Sequence, residues 1–320
     1  MDLAWKQLTT LPVELAELDG VEELLLDGNQ LTSLPVELET LTALRALHLD
    51  GNKLTALPQC PPYLETLSLY GNAIGSLPAK LGRMASLRHL SVGGNRLTSV
   101  PDTLWQLTGL ESLNLAENSL TAVPPGIGKL SALRMLDLGH NALSAIPPEL
   151  GDLGLTDYLY LSDNRFTEVP AALGALDRLA YLNITDNRLT ELPSELGNMA
   201  GLVELRLYNN RLESLPASIG GLGRLRELHL QGNRLTTLPS SVGGLGELRH
   251  LDLRNNQVSS LPASIGQLGR LRHLDLRNNR LRSLPKQLLD LPLEKLDLRW
   301  NKLDLPWQGE LEARGCVVLR

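Results

Sequence analysis

The chain has 320 residues, of which 42% are hydrophobic but only 3% aromatic, so its core must consist mainly of aliphatic side chains. The formal net charge of −6 disfavours nucleic-acid binding, because a phosphate-binding surface requires an excess of positive charge. There is no run of about 18 apolar residues and no basic segment followed by an apolar stretch at the N-terminus, so we expect no membrane span and a cytoplasmic location.

The first 20 residues predict an irregular version of a unit that recurs along the whole chain. Lys6 occupies the place at which the later units have asparagine, so the chain begins inside a degenerate first repeat, residues 1–20. The residues that keep the spacing of the later units are Leu3, Leu8, Leu11, Leu15 and Leu18.

About thirteen regular repeats follow in residues 21–305, and each is marked by one asparagine. The step between asparagines is 23 residues, except for 20 before Asn72 and 22 before Asn301. We expect the asparagine amide to satisfy backbone groups in the turn after each strand. The marked positions are Asn29, Asn52, Asn72, Asn95, Asn118, Asn141, Asn164, Asn187, Asn210, Asn233, Asn256, Asn279 and Asn301.

Each repeat has two halves with different periodicity. In 47–49 the leucines alternate as in a short strand, whereas Leu34, Leu38 and Leu41 share one face of a short helix. Pro35 suits the first helical turn, and the same Leu-Pro pair recurs at Pro58 and in most later repeats. Glycines that follow, Gly197, Gly220 and Gly266, are expected to end the helices in the left-handed conformation.

Stacking of such units buries leucines that one repeat could not bury alone. The pattern therefore predicts an α/β solenoid with one parallel sheet on its concave face and short helices on its convex face. Residues 306–320 predict a C-terminal cap, with a helix over 306–313, a break at Gly315 and a covering strand from Cys316 to Leu319 that would complete the chain. We treat 1–320 as a single domain.

The motif L-x-x-L-x-L-x-x-N-x-L, as in LRALHLDGNKL (44–54) and LRHLDLRNNRL (271–281), resembles the intracellular leucine-rich repeats of signalling scaffolds and of many bacterial proteins. This resemblance implies a horseshoe-shaped, protein-binding fold. A fainter one links LPQCPPYLETLSLYGN (57–72) to the repeats of bacterial effector ubiquitin ligases, whose catalytic domain follows the repeats. We do not carry ligase activity over, because Cys316 lies four residues from the end.

The side chains between the strand leucines point to the concave face, because strand side chains alternate. Tyrosines cluster on this face in adjacent middle repeats, and arginines and histidines occupy the same face in the repeats that follow. Exposed tyrosine and arginine are typical of binding hot spots, although tyrosine also suits strands in general. The predicted partner-binding residues are Tyr158, Tyr160, Tyr181, Arg206, Tyr208, His229, Arg254, Arg277 and Arg299.

The last three full repeats carry a ladder of charges in three columns. Two interpretations stay open: a self-compensating ionic lattice, or a landing site for an acidic segment. His250 and His273 with two carboxylates have the residue types of a metal site. The arginines are placed to pair with those carboxylates, so we predict no metal site. The columns are Asp252, Asp275, Asp297; Arg254, Arg277, Arg299; and His250, His273, Lys295.

No glycine-rich phosphate loop, nucleophile elbow or zinc-protease motif is present, so we expect neither an enzyme nor a cofactor. The sequence predicts a scaffold that binds another protein or peptide, with an acidic segment as a candidate feature of that partner, and not nucleic acid or membrane. The alternatives are a structural or self-assembling solenoid and the substrate-recognition part of a bacterial effector-like protein.

Overall fold

The computed structural model describes residues 1–11 and 20–320, which form two compact units, Met1–Leu155 and Thr156–Arg320. Leu15 and Leu18 of the degenerate first repeat lie outside the described residues. Among the described residues, no helix combines the length and the apolar character needed to cross a bilayer.

The first unit is an open parallel sheet in which the strands follow one another in chain order. Its strands are β1 (Glu23–Leu25), β2 (Ala46–His48), β3 (Thr66–Ser68), β4 (His89–Ser91), β5 (Ser112–Asn114) and β6 (Met135–Asp137). Its 3-10 helices are Val36–Thr40, Ala79–Arg83, Asp102–Gln106, Pro125–Lys129 and Pro148–Asp152. Residues 1–11 extend the ladder, because Asp2 forms a parallel bridge with Leu25.

The second unit repeats this plan with eight parallel strands. They are β7 (Tyr158–Tyr160), β8 (Tyr181–Asn183), β9 (Glu204–Arg206), β10 (Glu227–His229), β11 (His250–Asp252), β12 (His273–Asp275), β13 (Lys295–Asp297) and β14 (Val317–Leu319). The 3-10 helices are Ala171–Ala175, Ser194–Asn198, Ala217–Gly221, Ser240–Gly244, Ala263–Gln267 and Lys286–Asp290. One α-helix, Gln308–Ala313, precedes β14.

The predicted leucine-rich-repeat solenoid is confirmed in each unit. Strands pair in register, so that equivalent leucines stack, as Leu205, Leu228 and Leu251 do. These three side chains are fully buried, and burial of a leucine contributes about 1.5–3 kcal/mol. Apart from the α-helix before β14, the described helices between strands are of the 3-10 type and five residues long, because each one bridges only a short distance between one strand and the next.

The repeated asparagine has the structural role that the sequence predicts. In the second unit, the Asn210 amide nitrogen donates to the carbonyl oxygens of Ile184 (2.9 Å) and Leu207 (3.1 Å). Its amide oxygen accepts from the Leu189 N–H at 3.0 Å. One buried side chain thus joins two successive turns and satisfies backbone groups of both.

The residue before each asparagine lies in the left-handed region, where φ is positive. Glycine, asparagine and aspartate tolerate this conformation best, which explains the recurring GN, NN and DN pairs. The positions are Gly28, Gly51, Gly71, Gly94, Glu117, His140, Asp163, Asp186, Asn209, Gly232, Asn255, Asn278 and Trp300, and Trp5, which precedes Lys6 at the equivalent place of the first repeat, has the same conformation.

Two expectations about the return segments are wrong. Gly197, Gly220 and Gly266 do not end helices in the left-handed conformation. They lie inside the 3-10 helices, where a Cβ atom on Gly197 would stand 2.2 Å from the Ser218 carbonyl oxygen.

Pro58 does not begin a helix, because residues 54–65 form neither a helix nor a strand. That repeat is the 20-residue one, and its prolines, including Pro61, lack the N–H groups of a helical turn.

Near the C-terminus the structure places the α-helix at Gln308–Ala313, two residues shorter than predicted at its start. Gly315 follows with φ of 88°, and β14 pairs with β13 in parallel register. The Trp307 and Leu311 side chains are buried, so this helix and strand cover the leucines of the last repeat.

Candidate functional site

The sheet face of the second unit carries a continuous cluster of tyrosines. The ring centroids of Tyr158 and Tyr160 are 4.9 Å apart, and those of Tyr160 and Tyr181 are 5.1 Å apart. The Arg206 guanidinium lies 5.4 Å from the centroid of the Tyr181 ring. Burial raises the pKa of Tyr181, although the charge of Arg206 acts in the opposite direction.

A polar groove of about 580 Å³ adjoins this cluster on the same face. Of the predicted site residues, it brings together Arg206, Tyr208, His229, Arg254 and Arg277. The remaining lining residues, which the sequence reasoning missed, are Asn209, Gln231, Asn255 and Trp300. The Gln231 side-chain oxygen is buried and has no hydrogen-bond partner among the described residues.

Trp300 is the most unusual of these lining residues. Its side chain is 70% exposed, and its φ of 60° lies in the left-handed region, which costs a bulky residue about 1–2 kcal/mol. Arg299 does not line the groove, but its guanidinium lies 5.6 Å from the centroid of the Trp300 ring. Trp5 has a similar exposure and the same backbone conformation, so it is the place of Trp300 in the groove lining that makes it a candidate site residue. The sequence signal for it was a tryptophan in a column otherwise dominated by glycine, asparagine and aspartate.

In the charge ladder, most ion pairs join an aspartate and an arginine of the same repeat. The closest N–O distances are 2.5 Å for Arg277 with Asp275 and 2.7 Å for Arg299 with Asp297. Arg277 also reaches Asp297, at 3.3 Å. Burial acts to raise the pKa of Asp297, but the hydrogen bonds from Arg299 and the two guanidinium charges outweigh it, and the pKa lies below its usual value. At this end of the ladder, the ionic-lattice interpretation fits the geometry.

Asp252 is less well compensated than the other two aspartates of the ladder. Its side chain is 7% exposed, and the Arg254 Nε atom lies 3.3 Å away. Burial raises the pKa of Asp252, although the Arg254 N–H and guanidinium act in the opposite direction. Arg254 itself stays 39% exposed beside the groove.

Histidines line up beside this carboxylate. The ring centroids of His229 and His250 are 5.3 Å apart, and those of His250 and His273 are 5.7 Å apart. Burial lowers the pKa of His250, and the neighbouring His229 adds to the effect. His229 also contacts Glu227 at 3.1 Å and Glu204 at 3.7 Å.

Comparison with known proteins places the chain in a family. The leucine-rich-repeat profile matches residues 62–120, 108–166, 177–235 and 236–303, which is well over half of the chain. The chain therefore belongs to the leucine-rich-repeat family. No curated protein matches it at a significant level.

Among solved structures, a leucine-rich-repeat protein of Leptospira interrogans is 37% identical, with a TM-score of 0.92 over 98% of this chain and 81% of that one. The plant peptide hormone receptor RGFR1, solved in complex with RGF2, is 29% identical, with a TM-score of 0.75 over 92% of this chain. Toll of Drosophila, solved in complex with Spatzle, is 25% identical, with a TM-score of 0.78 over 92% of this chain. The chain spans only 54% and 46% of these two receptor chains.

The leucine-rich-repeat fold is commonly a protein-interaction module, and proteins of this family are generally non-enzymatic. The solved receptor complexes contain peptide or protein ligands.

Proposed function

We propose that this chain is a non-catalytic, cytoplasmic scaffold that binds a protein or peptide on the sheet face of its second unit. The observation that carries the proposal is the groove lined by Tyr208, Arg206, Arg254 and Trp300 beside the tyrosine cluster. The cytoplasmic part of the proposal is supported by Cys60 and Cys316, which are both free thiols.

The composition of the groove favours a protein partner. Tyrosine, tryptophan and arginine are the residues in which binding energy concentrates at protein interfaces. The exposed Trp300 ring offers a large apolar surface to a partner. Such a surface suits a protein or peptide, which it can recognise by shape and hydrogen bonding, rather than a single small molecule.

The charges favour an acidic segment in the partner. Among the described residues, Arg254 contacts Asp252 through a single approach of 3.3 Å, and Arg206 contacts Glu204 through its Nε atom at 2.5 Å while 37% of its side chain stays exposed. Both guanidinium groups therefore keep donors that a partner carboxylate can take. Arg277 donates to Asp275 through both its Nε atom and a terminal nitrogen, and its side chain is only 21% exposed, so it has fewer donors to offer and acts mainly to keep the lattice together.

The test is capture of binding partners from a lysate by the wild-type chain and by a Tyr208→Ala, Trp300→Ala variant. Hot-spot residues contribute about 2 kcal/mol or more each, so we expect the double variant to lose more than about 100-fold in affinity for the captured protein. The matched control is Trp5→Ala, Tyr63→Ala in the first unit. Its residues are 78% and 52% exposed, and Trp5 is also left-handed.

The proposal predicts one protein that the wild type and the control retain and the groove variant loses. Equal retention by all three chains would place the binding surface elsewhere. Loss by both variants would trace the effect to exposed aromatic residues in general.

A further inference from the structure

Three side chains on adjacent strands of the second unit converge on one point. His229 of β10 lies directly beside Asp252 of β11 in the parallel register, and His250 stands two residues before Asp252. One ligand atom from each of these residues lies within 4.8 Å of the other two. Imidazole and carboxylate together are the donor set of many zinc and other transition-metal sites.

The surroundings of Asp252 show why a cation would be held here rather than elsewhere on the ladder. Asp275 is closed by Arg277 at 2.5 Å, and Asp297 has two arginines, at 2.7 and 3.3 Å. Among the arginines and lysines that the structure describes, Asp252 has only Arg254 as an ion-pair partner, at 3.3 Å, although its side chain is nearly as buried as that of Asp297. A buried carboxylate with incomplete compensation favours a further positive charge.

The other side of His229 is also acidic. Glu204 and Glu227 lie 3.7 and 3.1 Å from His229 Nε2, and these three residues form a second group with ligand atoms within 4.8 Å. Carboxylates around a histidine ligand strengthen its binding of a metal and make the local potential more negative.

We propose that His229, His250 and Asp252 bind a divalent transition-metal ion, with zinc as the reference ion. The site lies one repeat earlier than the His250 and His273 pair considered from the sequence alone. His273 belongs to neither convergent group; its nearest carboxylate is Glu294, at 3.9 Å. The ion would compete with the Arg254 guanidinium for the Asp252 carboxylate, while one Asp252 oxygen can still accept from the Arg254 N–H.

This proposal does not rest on the protein-binding function, although His229 also lines the groove, so it is tested on the full chain without any partner. Untagged protein, first treated with a chelator, is titrated with Zn²⁺ by calorimetry and with Co²⁺ by visible absorption, which reports nitrogen and oxygen ligation. We expect one ion per chain. We also expect His250→Ala and Asp252→Asn to weaken binding by more than about tenfold, since loss even of groups that only orient a ligand costs about 10- to 100-fold.

Matched controls lie one repeat away. His273→Ala and Asp275→Asn remove the equivalent imidazole and carboxylate charge from β12 and should leave affinity unchanged. Asp252→Asn keeps an oxygen for the Arg254 N–H, so it removes charge with little change in the turn. Unfolding of each variant by circular dichroism separates lost ligation from lost structure.

A second measurement requires no variant. Zinc should protect His229 and His250, but not His273, from chemical modification of the imidazole, as read by mass spectrometry. The proposal is overturned if the wild type binds no stoichiometric ion, if the β12 controls lose as much affinity as the β11 variants, or if all three histidines stay equally reactive.

Discussion

At the scale of single residues, the asparagine of each repeat is the most demanding position in the chain. Asn187 donates to the carbonyl oxygens of Leu161 (3.0 Å) and Thr185 (2.9 Å) and accepts from the Phe166 N–H at 3.0 Å. It is only 8% exposed. Its amide must therefore be donor and acceptor at once, in a place that water does not reach, and only asparagine offers both groups at this length.

Asn187→Asp tests this role with an almost isosteric change. A carboxylate keeps the acceptor but removes the donors and brings negative charge beside carbonyl oxygens. We expect the free energy of unfolding to fall by about 2–5 kcal/mol, from two lost hydrogen bonds and the cost of unsatisfied buried groups. Denaturant unfolding measures the change. Asn198→Asp, the same substitution at an exposed position, is the control; equal stability of the two variants would contradict the structural role.

Trp300 shows the opposite case, in which the local rule of the repeat is broken. The equivalent residues one and two repeats earlier are Asn278 and Asn255, which tolerate the left-handed conformation at little cost. A mostly exposed tryptophan gains little from burial in return. The position therefore makes sense as part of a binding surface, where a partner would cover the ring.

At the scale of elements, the 3-10 helices pack closely because glycines lie at their contact points. A Cβ on Gly197 would stand 2.2 Å from the Ser218 carbonyl oxygen, and one on Gly220 would stand 2.2 Å from that of Ser241. Each glycine faces the backbone of the next repeat. The short helices therefore stack at a spacing that a methyl group would prevent.

Gly197→Ala should consequently push two neighbouring helices apart. Although alanine is the better helix former, we expect a loss of about 1–3 kcal/mol in unfolding free energy, because backbone must shift to admit the methyl group. Gly223→Ala is the control, since among the described residues no atom beyond those of its chain neighbours lies within 4 Å of a Cβ built there. Thermal unfolding measures both variants; a Gly197→Ala chain as stable as the control would refute the close-contact account.

At the scale of the whole molecule, the fold could be predicted because the repeat makes every residue position equivalent to others. Once the asparagine step was known, the strands, the leucine core and the concave columns followed from alternation. For the same reason, Arg206, Tyr208 and Arg254 could be assigned to one face. The equivalence of positions does not determine which side chains form pairs with each other.

The parts that sequence reasoning missed depend on distances rather than on order along the chain. The role of Gly197 depends on how closely two helices approach, and that of Trp300 on its backbone conformation. His229 converges with Asp252, whereas His273 does not converge with Asp275. The difference depends on how closely each aspartate is paired with its arginine, because Arg277 lies nearer to Asp275 than Arg254 does to Asp252. Such choices are made by side-chain contacts that equivalent positions leave open.

The central claim is that the sheet face of the second unit holds the partner, and photo-crosslinking tests it most directly. A photoreactive residue is placed in the groove at Gln231 or, as control, in a 3-10 helix of the same unit at the exposed Ala217. The account predicts a crosslink to one protein from position 231 that is lost with Tyr208→Ala, Trp300→Ala and absent from position 217. A crosslink to the same protein from position 217 alone would contradict it.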